Sequence, residues 1–84
     1  MVLYKTPEGQ NYTLTKHARR QMGRRRVTRQ QLEYVLDNHY RPYRDKRGND
    51  RLERDLADGR SLRIVAARGS NPIKVVTVII LDRS

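Results

Sequence analysis

At Pro42 the spacing of apolar residues changes from a helical to a two-residue period, and that switch limits the fold more than any other feature of the chain. Before it, Ala18 and Met22 lie one turn apart in a predicted helix from Lys16 to about Arg25, with Thr15 as N-cap and Gly23 as a weak point. Thr28 and Gln31 fit a capping box that opens a second helix from Arg29 to about Asn38, whose buried stripe is Leu32, Val35 and Leu36. After it, Tyr40 to Lys46 reads as a short strand that Pro42 places at an edge. Arg51 to Leu56 alternates, with Leu52, Arg54 and Leu56 on one face and Arg51, Glu53 and Asp55 on the other. Asp58 and Gly59 signal a hairpin, and Ser61 to Arg68 supplies its second strand. After a turn from Gly69 to Pro72, Ile73 to Leu81 is a β-branched run typical of a strand covered on both faces. The expected fold is α+β, with two N-terminal helices packed on a three- to four-stranded antiparallel meander. Residues 1–84 form a single domain in this reading: 1–11 a lead-in that turns at Pro7 to Gly9, 12–39 a helical part entered through a short extended piece at Tyr12 and Leu14, and 40–84 the sheet.

Charge narrows the partner. The chain has 19 basic and 9 acidic residues, a net charge of +10 that concentrates polyanions and makes their binding salt-dependent. From Gly9 to Leu32 there is no acidic residue, while Lys16, Arg19, Arg20, Arg24, Arg25, Arg26 and Arg29 crowd the same stretch. RNA is the expected partner; DNA and an acidic protein such as an antitoxin are the alternatives. No cysteine is present, so disulfides and thiolate metal sites are excluded. No His or carboxylate cluster has ligand spacing and the glycines form no phosphate loop, so neither a metal nor a cofactor is expected. The start of the chain does not read as a signal peptide, and the longest apolar run is far short of the ~20 residues that span a bilayer, so no membrane is expected and the cytoplasm is the default location.

His17 is the residue best suited to chemistry. On a helical wheel it falls on one flank with Arg20 and Arg24, beside the core side marked by Ala18 and Met22. In the first turn, unpaired backbone amides and the helix dipole disfavour an imidazolium and attract an anion, a setting for a general base among phosphate-binding guanidiniums. The competing reading is an ordinary solvated basic face. His39, near the end of the second helix, suits a capping role. Tyr40, Arg41, Tyr43 and Arg44 interleave rings and cations in a way that can stack bases and hold a backbone, or simply pack and solubilise an edge strand. Arg54 and Arg63 sit among apolar neighbours and need a partner or a cleft, and Thr77 is the one polar side chain in its run.

The run Thr15, Lys16, His17, Ala18, Arg19, Arg20, Gln21, Met22, a basic pair, then Val27 and Thr28 resembles the signature T-x-H-A-x-x-R-M-x-x-R-x-[IV]-[ST] of a small bacterial and phage family of unknown function. The Arg-rich strand start after Asp58 and Gly59, and Val76, Thr77, Val78 and Ile79, extend the likeness from about Tyr12 to Leu81. That family is similar to the barnase, EndoU, colicin and RelE group of metal-independent ribonucleases. The resemblance implies a RelE-like sheet, a catalytic set of His17, Arg20, Arg24, Arg63 and Thr77, and a toxin-type endoribonuclease that uses attack of a ribose 2′-hydroxyl. One departure is Gln21, where the family carries a basic residue, so Arg20 takes that role in a shifted position. Lys16, Arg19, Arg25, Arg26, Arg29, Arg41, Tyr43, Arg44 and Arg54 are the expected RNA-contacting residues. A binding module without catalysis, or a basic adaptor for an acidic protein, is the alternative to the enzyme.

Overall fold

The computed structural model describes residues 2–81. In chain order its elements are β1 (Tyr4–Lys5), β2 (Asn11–Leu14), α1 (Lys16–Arg24), α2 (Arg29–Asn38), β3 (Tyr43–Arg44), β4 (Asp50–Asp55), β5 (Ser61–Ala66) and β6 (Ile73–Leu81). They build one six-stranded sheet ordered β1-β2-β6-β5-β4-β3.

The expected meander is corrected in two respects. The helices lie in the middle of the chain, and the sheet is mixed, because β2 pairs with β6 in parallel while every other pairing is antiparallel. The supposed lead-in is therefore sheet, and β2, both helices and β3–β5 are all traversed before β2 meets its partner. Tyr12, Thr13 and Leu14 align with Ile73, Lys74 and Val75. The strand expected from Tyr40 to Lys46 shrinks to Tyr43–Arg44, since Pro42 has no N–H for the ladder and Asp45 already starts a turn. The RelE-like architecture that the resemblance implied falls with it.

Both helices open as their caps demand. The Thr15 hydroxyl accepts from Ala18 N at 3.1 Å, and Thr28 and Gln31 form both bonds of the capping box. α1 closes over Arg26, which takes a left-handed φ of 53° so that Val27 N reaches back to Met22 O at 2.9 Å. The helices bury Ala18, Met22, Leu32, Val35 and Leu36 against Tyr12, Leu52, Leu62, Ile64, Val75 and Val78 on one face of the sheet. Tyr12, fully buried, donates its hydroxyl to Glu33 of α2 at 2.5 Å and stacks on Tyr4.

β6 lies inside the sheet, between β2 and β5. Helices cover only one of its faces. On the other, Thr77 and Ile79 are half-buried, so the expectation of cover on both sides holds for one side alone. The strand also slips register: Val65 pairs with Thr77 but Ala66 with Val75, which leaves Val76 as the extra residue of a β-bulge.

Candidate functional site

The head of α1 is fixed to β6 by one residue. Thr15 donates its backbone N–H to Val75 O at 3.1 Å and its hydroxyl to Val76 O at 3.0 Å, while the same hydroxyl caps the helix. His17 comes two residues after this pin and Thr77 one residue after the bulge carbonyl that receives it. The helix N-terminus, with its unpaired amides and positive dipole, is thus held beside the strand that carries Thr77. His17, Arg20 and Arg24 are exposed, as are Lys16, Arg19, Arg25 and Arg26. Arg25 Nε donates to Gln21 Oε1 at 3.1 Å. Arg29 turns away from this cluster, lying 4.6 Å over the Tyr4 ring and 3.8 Å from Glu33.

Arg63 and Thr77 share the sheet face opposite the helices. Leu62 and Ile64 point into the core, so Arg63 between them points out; it pairs with Ile79, and Thr77 stands diagonally across from it. The predicted set is therefore divided by the sheet, with its α1 members on the helix side and its strand members on the open side. The Thr15 pin ties the head of α1 to the strand that carries Thr77.

The open face also carries residues that no sequence motif marks. Glu53 lies opposite Arg63, accepts from Arg63 Nε at 2.9 Å, and accepts also from the Tyr43 hydroxyl. Burial alone raises the Glu53 carboxyl pKa, but the Tyr43 bond and the Arg63 bond and charge outweigh it, so Glu53 stays below the ordinary carboxylate range. Arg51 pairs with Tyr43 on one side and Val65 on the other. The β3–β4 turn rises over this face, organised by Asp45, whose Oδ1 accepts from Arg47 N at 2.9 Å and Asn49 N at 3.0 Å. This turn, Tyr43 and Arg51 bound a concavity of about 630 Å³, floored by Val65, Thr77 and Ile79 and rimmed by Arg44, Lys46 and Arg47, with the Glu53–Arg63 pair outside it. The alternation of β4 already placed Arg51 and Glu53 on one face. Only the hairpin register sets them against Val65 and Arg63, and no local motif carries it.

The interleaved tyrosines separate. Tyr43 joins the open face, whereas Tyr40 packs on Arg54, 4.7 Å from the guanidinium carbon to its ring centre, and bonds Asp55 through its hydroxyl. Arg54 also lies 6.0 Å from the Tyr34 ring of α2, so its partner is an aromatic pair on the helix side. Arg41 is exposed in the link between α2 and β3. His39 is the C-cap of α2, with Nδ1 2.8 Å from Tyr40 O, a contact that needs the proton on Nδ1. No three His, Asp or Glu side chains converge on a metal-binding point among the described residues, and none of the helices described is long and apolar enough to cross a membrane.

Residues 14–80 match the family described as Domain of unknown function (DUF4258), and the chain belongs to that family. No curated protein and no solved structure matches it. A family of unknown function is thus found, as expected, while nothing in these comparisons links it to a ribonuclease group.

Proposed function

We propose that this member of the DUF4258 family binds single-stranded RNA and cleaves it by attack of a ribose 2′-hydroxyl on the adjacent phosphate. The observation that carries the reading is the Thr15 pin, which sets the basic head of α1 against β6 next to Thr77. In this mechanism His17 takes the 2′-hydroxyl proton as the new P–O bond forms, then returns a proton to the 5′ oxygen as the old one breaks, leaving a 2′,3′-cyclic phosphate. Arg20 and Arg24 supply positive charge to the developing phosphorane on the helix side of the sheet, while Arg63, held by Glu53, and Thr77 contact a neighbouring part of the same strand from the open face.

The test is incubation of the purified chain with single-stranded RNA in excess chelator. Cyclic phosphate ends should appear, and RNA methylated at the scissile 2′-hydroxyl should stay intact. His17→Ala should cut the rate by about 10²–10⁴, the range for losing a general acid or base, while binding changes only a few-fold. Wild-type protein that binds RNA under these conditions without cutting it would show a binding module instead.

A further inference from the structure

The registers of three strand pairs set Tyr43, Arg51, Val65 and Thr77 in one straight row across the open face. Neighbouring strands stand about 4.8 Å apart, so Arg51 and Thr77 flank Val65 from the two adjacent strands, roughly 10 Å from each other backbone to backbone. Long and short polar side chains on either side of a small apolar one leave a saddle that an anion can occupy. The bulge at Val76 belongs to this saddle, since the extra residue re-aims the strand just where Thr77 leaves it.

The charges single out one of the guanidiniums. Arg63 bonds Glu53 at 2.9 Å. Arg51 has a buried Nε without a hydrogen-bond partner among the described residues, and its nearest carboxylate oxygen, on Asp45, is 3.7 Å away. The other oxygen of Asp45 serves the turn. The Arg51 side chain is nonetheless 34% exposed, so the outer nitrogens of a guanidinium whose Nε has no acceptor are the donors a ligand oxygen can reach. The Arg51 guanidinium also lies 5.8 Å from the centre of the Tyr43 ring, which is 44% exposed and offers its plane to an unpaired base.

We infer that Arg51 and Thr77 hold one phosphodiester of a single-stranded polynucleotide above Val65, with the adjoining base against Tyr43. This subsite rests on the proposed function for the nature of its ligand, but not for cleavage. Arg44, Lys46 and Arg47 on the rim add a field that draws the strand in without fixing its register.

The experiment measures binding alone, with fluorescent 2′-O-methyl single-stranded RNA and a salt titration. Arg51→Gln should weaken binding about tenfold and lower the slope of log affinity against log salt by about 0.7, the value for one single-strand phosphate contact. Arg51→Lys should keep the slope but not the full affinity, because an ammonium lacks the guanidinium fork. Thr77→Val, which suits a strand, should weaken binding several-fold, and with Arg51→Lys it carries the test if circular dichroism shows Arg51→Gln unfolded. Wild-type affinity and slope in all of the folded variants would overturn the subsite, as would displacement of the RNA by an equal concentration of inorganic phosphate, or absence of RNA binding by the wild type. Cleavage of unmodified RNA is scored separately. Loss of binding in these variants of a wild type that never cuts leaves the subsite standing and removes only the ribonuclease.

Discussion

Thr15 concentrates more structural work than any other side chain near the proposed centre. Its hydroxyl accepts from Ala18 N and donates to Val76 O, so truncation removes a helix cap and an element-to-element bond together. Thr15→Ala should cost about 1–2 kcal/mol of stability, seen as a lower urea midpoint with an unchanged slope, and Thr15→Ser should recover most of it. If the pin positions His17, RNA cleavage by Thr15→Ala should fall further than RNA binding. A proportional fall in both would assign Thr15 to stability alone.

Between elements, the β4–β5 hairpin clamps the link that joins the helices. Arg60 reaches from it to Arg25 O at 2.6 Å, Arg26 O at 3.1 Å and Gln31 Oε1 at 3.2 Å, and is held by Asp58. The first two carbonyls flank the left-handed Arg26, whose conformation non-glycine residues rarely adopt. Arg60→Met should therefore destabilise the fold by about 2 kcal/mol, with hydrogen exchange accelerating first around Val27 and Gln31. The sequence showed what depends on near neighbours. Thr15, Thr28 and Gln31 mark helix starts within three residues of their partners, and the helices fall where those caps put them. The pairing of β2 with β6 was hidden because Leu14 and Val75 meet only after both helices and three strands, and nothing local to Tyr12 announces a parallel partner. The site was half visible for a related reason. Asp58 and Gly59 announce a hairpin, but a two-residue turn there would set Glu53 opposite Ile64. The actual turn spans Ala57, Asp58 and Gly59, with Leu56 N bonded to Arg60 O at 2.7 Å and Gly59 at φ 92°, and that single residue brings Glu53 to Arg63.

Over the whole molecule, a net charge of +10 means that a small number of carboxylates restrain a large positive field. Asp45 is held below its usual pKa by the backbone amides of Asn49 and Arg47, and Asp58 by Arg60. Glu53, against the upward pull of its burial, is held down by Tyr43 and Arg63. Each is depressed in the folded state, so its contribution is complete above the unfolded value near 4 and is lost as pH falls through the lower folded value. Protonation also raises the net positive charge. Thermal stability should accordingly be flat from neutrality down to about pH 5 and drop steeply below about pH 4, more so at low salt, with Glu53→Gln showing a shallower acid limb. An acid limb that neither salt nor this substitution alters would remove the linkage.

The bulge in β6 has the character of a splice. Without Val76, the strand from Ile73 onward reads as a plain alternation, with Ile73, Val75, Val78 and Ile80 on the helix side and Lys74, Thr77 and Ile79 on the other. The one residue added to that pattern is the residue whose carbonyl takes the Thr15 hydroxyl. A regular strand has no place for a helix to plug into its hydrogen-bonded edge, and this one acquires a socket by being one residue too long.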